Sequence, residues 1–164
     1  MKTLFLLRHA KAENPTTGLT DLNRALNERG KNEAKAIGTF LKKQKQKFDL
    51  VLCSTAARAR ETTELVLAAA ELAANVRFDT RIYEAGLLRL LEVISEIEES
   101  MSAVLLVGHN PGMEELLKIL TGSLEQMATG TLAKIELSAG WSKALEAKGT
   151  LDSIVKPQAL APGS

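Results

Sequence analysis

The feature that most constrains this chain is the alternation of short apolar runs with longer segments of helical period. Thr3–Leu7, Asp49–Cys53, Asn75–Asp79 and Ala103–Val107 have strand length and strand composition. Between them, Glu28–Lys43, Ala56–Leu72, Gly86–Glu98 and Gly112–Leu120 read as helices. Ala34, Ile37 and Leu41 make a core-facing stripe on the first, and Leu87, Leu90, Leu91, Ile94 and Ile97 make one on the third. Strands alternating with helices predict an α/β fold, three layers deep, with a mostly parallel central sheet. Near the C-terminus, Thr131–Leu137 and Thr150–Val155 read as an added strand pair, with Trp141 as a packing anchor between them. Residues 1–156 are expected to form a single domain, and Pro157–Ser164 a loosely held tail.

Composition narrows the function classes. The 164 residues carry 21 Lys and Arg against 20 Asp and Glu, a net charge of +1, which argues against nucleic-acid binding by bulk charge. Lys42, Lys43, Lys45 and Lys47 form a basic run, but no aromatic interleaves it, so a solvated helix end accounts for it. One cysteine, Cys53, permits neither an intrachain disulfide nor a thiolate zinc site. The apolar start, Leu4–Leu7, is broken at once by Arg8, His9 and Lys11, too early for a signal core of about 7–15 residues. No run approaches the roughly 18 apolar residues of a membrane span. The expectation is a cytoplasmic protein with no membrane partner.

In parallel α/β sheets, ligands bind outside the carboxyl ends of the strands. The first run leads into Arg8-His9, the second into Ser54 and a helix start bearing Arg58, and the fourth into Gly108-His109-Asn110-Pro111-Gly112. The chain has only two histidines, and each directly follows an apolar strand. One histidine alone reads as an ordinary buried imidazole. Two imidazoles and two arginines at one sheet edge read as a phosphate site, because guanidinium forks and helix starts both bind phosphate oxygens. A neutral imidazole there can attack phosphorus and form a phosphohistidine that water hydrolyses. The connection Ala10–Asn27 lacks helical period and exceeds the length at which loops in compact domains tend to be functional.

These residues carry a resemblance. Leu7-Arg8-His9-Ala10-Lys11 resembles the Arg-His-Gly-type motif of the histidine phosphatase superfamily, with its phosphoglycerate mutase-like fold. It is most similar to the short phosphohistidine phosphatases of the SixA type. Asp21-Leu22-Asn23-Arg24-Ala25-Leu26 with Gly30, Ser54 to Thr62 around Arg58, and Val107-Gly108-His109-Asn110-Pro111 resemble three further family segments in the family order. Ala10 stands where Gly is usual and Ala25 where Pro is common. The resemblance implies that His9 is the nucleophile, that Arg8, Arg58 and His109 form the phosphate pocket, and that Arg24 lies near it. It implies no cofactor and no catalytic metal, and a phosphorylated substrate, preferably a phosphohistidine on a protein, with phosphate or sulfate able to occupy the site. A small-molecule phosphomonoesterase and a non-catalytic phospho-binding module are the alternatives.

Glu84 has two readings. It sits where larger family members place a general acid, and it is equally a solvent-facing carboxylate at a helix start. Imidazole leaves with a conjugate-acid pKa near ~6.5, so a phosphohistidine substrate makes a dedicated acid dispensable. Cys53 raises a rival cysteine mechanism, but position 59, six residues on, is Ala, and no glycine lies between.

Overall fold

The computed structural model describes residues 1–146 and 149–160. Six strands, β1 (Lys2–Arg8), β2 (Leu50–Cys53), β3 (Val76–Phe78), β4 (Ala103–Gly108), β5 (Leu132–Leu137) and β6 (Thr150–Val155), form one sheet in the order β3-β2-β4-β1-β5-β6. The pairs β1–β4, β2–β4 and β2–β3 are parallel. The pairs β1–β5 and β5–β6 are antiparallel, which is the strand pair expected at the C-terminal end.

Successive strand residues face opposite sides of a sheet, and both sides are covered here. Leu4, Leu6, Leu50, Leu52, Val104 and Leu106 pack under α3 (Leu87–Ser95) and α4 (Gly112–Thr121). Phe5, Leu7, Val51, Cys53, Leu105 and Val107 pack under α1 (Glu28–Lys43) and α2 (Ala57–Ala70). This two-sided burial explains why β1, β2 and β4 read as continuous apolar runs rather than alternating ones. β3, at the sheet edge, is shorter than its sequence suggests, with its last two residues exposed.

Two segments outside the main strands and helices are held in place. The connection from Ala10 to Asn27 is not free: Ala12 bridges Leu26, Glu13 N–H donates to the Ala25 carbonyl, and Asp21–Asn23 form a 3-10 turn. The start of α1 presses on this connection, and a Cβ at Gly30 would lie 1.9 Å from the Lys11 carbonyl oxygen, so only glycine fits. The tail expected from Pro157 is also packed at first. Pro157 is buried, Pro157–Ala159 form a 3-10 turn, and Gln158 Nε2 donates to Glu33 on α1. Glu33 is a buried carboxylate that supplies the missing attraction. The remaining tail residues, 161–164, lie outside the described residues. Trp141 is fully buried and its indole N–H donates to the Met101 carbonyl, an anchor at the entrance to β4. Among the described residues no helix is long and apolar enough to cross a membrane.

Candidate active site

The sheet aligns three strand ends. Arg8 pairs with Gly108 and Cys53 with Val107, so His9, Ser54 and His109 emerge at one level. The backbone continues this alignment past the strands: His9 N–H donates to Gly108 and Ser54 N–H to Val107. Arg58 joins them from the first turn of α2. Arg8, His9, Arg24, Arg58, Glu84 and His109 all line one cavity of about 580 Å³, with exposed Asn14 and Glu115 on its rim. The structure therefore brings Arg8, His9, Arg24, Arg58, Glu84 and His109 to one place.

His9 is buried, and its Nδ1 lies 2.8 Å from the Ala10 carbonyl oxygen. A carbonyl only accepts, so Nδ1 carries the proton and Nε2 keeps its lone pair. Burial pushes the His9 pKa down to about 4, and the cations of Arg58, Arg8 and Arg24 reinforce this against the Ala10 carbonyl. At neutral pH the ring is an uncharged base. His109 lies with its ring centroid 5.0 Å from that of His9. Burial, then the neighbouring His9 and Arg58, push its pKa down to about 3.

Among the described residues, four buried side-chain polar atoms have no hydrogen-bond partner, and three are on residues that line this cavity: Arg8 Nε, Arg58 Nε and His109 Nδ1. Buried polar groups are nearly always paired, so a concentration of orphans marks a place made for a ligand. Guanidinium nitrogens only donate, which fixes that ligand as an acceptor, and the positive charge favours an anion. Both guanidiniums are tethered through other nitrogens, Arg8 by one and Arg58 by two. Arg8 donates through Nη1 to the Met127 carbonyl, and Asn110 Nδ2 donates to the same oxygen. Glu114 in turn accepts from Asn110 and from the Met127 N–H, which pins that segment. Burial lowers the Arg8 pKa, and Glu114 and Glu33 oppose this.

Arg58 is held by a residue that the sequence does not single out. Its Nη1 donates to the Asp21 carbonyl and its Nη2 to Asp21 Oδ2, at 2.8 and 3.0 Å. Tyr83 donates its hydroxyl to the same Oδ2 at 2.6 Å. Arg24 reaches Asp21 Oδ1 through Nε and Nη2 and the Glu13 carbonyl through Nη1. All three Arg24 nitrogens are thus engaged in fixing the connection. The Tyr83 hydroxyl first, then Arg24 and Arg58, hold the Asp21 carboxyl well below the usual range, and the Tyr83 phenol is pushed up to about 12 in return. Glu84, beside Tyr83, is exposed, has a left-handed φ of 51°, and makes no side-chain hydrogen bond among the described residues.

Cys53 does not line the cavity. It faces the α1–α2 core, accepts from Thr63 Oγ1, and burial pushes its thiol up to about 12. A protonated, inaccessible thiol removes the basis for the rival cysteine mechanism. Among the described residues no group of three or more His, Cys, Asp or Glu side chains is placed to hold a metal ion.

A three-layer α/β fold with a histidine-and-arginine anion site at its strand ends defines a class of phosphoryl-handling proteins. The sequence model of the histidine phosphatase superfamily (branch 1) matches residues 4–90, and the chain belongs to that family. It is similar to the uncharacterized protein Rv1276c of Mycobacterium tuberculosis, 37% identical over 70% of this chain and 69% of that one. Among solved structures it resembles two proteins assigned as phosphohistidine phosphatase SixA. The one from Nakamurella multipartitia is 30% identical with a TM-score of 0.85, covering 96% of this chain and 97% of that one. The one from Agrobacterium tumefaciens is 31% identical with a TM-score of 0.84, covering 95% and 98%. The protein histidine phosphatase SixA complexed with tungstate shares the fold at 23% identity and a TM-score of 0.78, covering 95% and 97%.

Proposed function

We propose that this chain is a cytoplasmic phosphatase that hydrolyses phosphohistidine on proteins, through a phosphohistidine formed on its own His9. The observation that carries this reading is the neutral His9, its Nδ1–H tied to Ala10, beside three unpaired buried nitrogens, two of them guanidinium donors. His9 Nε2 attacks phosphorus, and the bond from phosphorus to the substrate nitrogen breaks. The substrate ring, already protonated on its other nitrogen, keeps the bonding pair and leaves as neutral imidazole, so no proton has to be delivered to it. Arg8, Arg58 and His109 hold the equatorial oxygens of the transferring group through Nε, Nε and Nδ1, where charge is greatest. Water then attacks phospho-His9, releasing inorganic phosphate and restoring the imidazole. Every step is carried by side chains of this chain and by water.

The preference for a protein-borne group rests on access and on the leaving group. The rim is exposed at Asn14 and Glu115. Imidazole, with a conjugate acid near ~6.5, is a far better leaving group than an alkoxide, so the site functions without a dedicated acid.

A small-molecule phosphomonoesterase is the second reading, and Glu84 favours it. A non-glycine residue held at positive φ on a cavity wall is the kind of strain that collects at functional sites. Phosphate release from a phosphohistidine peptide, p-nitrophenyl phosphate and an alkyl phosphate, measured side by side, separates the readings. The proposal expects the highest kcat/KM on the peptide. Preference for the alkyl ester would establish the second reading, and binding without turnover would reduce the site to a phospho-binding module.

A further inference from the structure

His109 contributes one of the three unpaired donors only if its proton sits on Nδ1, and a neutral imidazole has one proton to place on two nitrogens. Its other nitrogen, Nε2, lies 2.7 Å from Ser54 Oγ, in a pair buried at the junction of β2 and β4. Ser54 itself has no solvent exposure.

Proton accounting at Ser54 decides the tautomer. A hydroxyl has one proton and two lone pairs. One lone pair accepts from the Ala56 N–H at 3.2 Å, at the start of α2. If His109 Nε2 carried a proton, it would take the second lone pair. The Ser54 hydroxyl proton would then have no acceptor, and His109 Nδ1 would be a buried lone pair facing the site of an anion. In the reverse arrangement Ser54 donates to Nε2, and every proton at the serine is placed. His109 Nδ1 then bears hydrogen, matching its standing as a buried atom with no protein partner in a residue that lines the cavity.

We infer that Ser54 is a positioning residue that sets the tautomer of His109, so that His109 Nδ1–H is presented to an oxygen of the bound phosphoryl group. This use of Nδ1 rests on the phosphatase reading, whereas the tautomer itself does not. Ser54 touches no substrate and works through His109. Its placement is set by the sheet: the Ser54 N–H bonded to Val107 aligns it with the end of β4. The Ala56 N–H occupies one of its lone pairs, and donation to the imidazole is the arrangement that places the hydroxyl proton.

The test begins with the unliganded wild-type protein labelled with 15N. Two-bond proton–nitrogen correlations distinguish the imidazole tautomers, and the chain's two histidines are told apart with a His9→Gln variant that leaves His109 as the single histidine. His109 is expected to carry its proton on Nδ1. In Ser54→Ala the proton moves to Nε2 or divides between the nitrogens, and Ser54→Thr, which keeps the hydroxyl, restores Nδ1. On a phosphohistidine peptide, Ser54→Ala should lower kcat from about tenfold up to the roughly 10²–10³-fold cost of deleting an oxyanion donor, with Ser54→Thr recovering most of it. A proton on Nε2 in the wild type overturns the inference without any variant. So does an unchanged tautomer, or undiminished turnover, in a folded Ser54→Ala protein. Absence of turnover in the wild type would count against the phosphatase reading and leave the tautomer result standing.

Discussion

Removing the Asp21 side chain tests how the phosphate pocket is held open and aligned. The carboxylate accepts from Arg24 and Arg58 and from the Tyr83 hydroxyl, at 2.6–3.3 Å. Its side chain is 41% exposed, whereas that of Arg58 is only 6% exposed. Solvent screening reduces the Arg24 half of the network to about 0.2–1 kcal/mol, the range of surface pairs. The Arg58 half costs more, because a buried guanidinium would keep a single protein acceptor, the Asp21 carbonyl. Complete loss of a buried pair costs about 3–5 kcal/mol, and the surviving carbonyl and open side reduce this. Asp21→Ala should therefore destabilise the protein by about 1–3 kcal/mol in all, or roughly 2–4 °C of melting temperature per kcal/mol for a chain of this size. Arg58 should also lose its orientation, lowering kcat/KM on a phosphohistidine peptide by about 10–100-fold, where each factor of ten is about 1.4 kcal/mol of transition-state binding. Tyr83→Phe removes only the hydroxyl donor and should show a smaller loss in the same direction. The two changes together should cost less than their sum, since they share one carboxylate. Thermal melts and steady-state kinetics on the three variants measure both effects. An Asp21→Ala protein with unaltered melting temperature and unaltered kcat/KM would refute the assignment of Asp21 as the support of Arg58.

Other perturbations probe separate parts of the site. Glu84→Gln should reduce turnover of an alkyl phosphate by about 10²–10⁴-fold if Glu84 donates a proton, and reduce phosphohistidine turnover far less; parallel assays check this, and equal losses remove Glu84 from the chemistry. Cys53→Ser should keep most of the activity, because the thiol faces the core and not the cavity; a loss comparable to that of His9→Ala would revive a cysteine mechanism. The buried histidines should make the protein acid-labile. The unfolded chain takes up a proton near pH 6.5 that folded His9 refuses until about pH 4, so stability falls as pH drops through that window. Each pH unit of the window is worth about 1.4 kcal/mol for one proton, so His9 alone accounts for about 3 kcal/mol of the loss. Denaturant melts of His9→Gln should accordingly show a flatter profile between pH 6.5 and 4 than the wild type, and parallel profiles would contradict the burial argument.

The strands and their carboxyl-end residues are legible in the sequence because their cause is local. Runs such as Leu4–Leu7 and Val104–Val107 are apolar throughout because helices cover both faces of the sheet, and a basic or imidazole residue immediately after such a run has nowhere to go but the strand end. Arg8, His9 and His109 are found that way, and Arg58 from the helix start that follows β2. Asp21 and Tyr83 are not, since their bond joins residues 62 positions apart and each alone is an ordinary polar residue in a connection. The nearest signal is the spacing of Asp21 three residues before Arg24. Ser54 is visible as part of a motif, but its partnership with His109 exists only because β2 and β4 are neighbours. The packing of the tail is hidden for a similar reason: its anchor is Glu33, buried on α1, and a buried glutamate inside a helix looks like a surface residue in the sequence.

The central claim is that phosphoryl transfer passes through His9, and trapping the intermediate tests it most directly. Wild-type protein is mixed with substrate carrying a labelled phosphoryl group and stopped within the first turnover. It is then digested under alkaline conditions that preserve phosphoramidates and mapped by mass spectrometry. The label is expected on His9, at Nε2, the nitrogen left free by the Nδ1 bond to Ala10. A folded His9→Ala protein should carry no label and lose on the order of 10⁴-fold or more in turnover. Label on another residue, or near wild-type turnover without His9, would contradict the account.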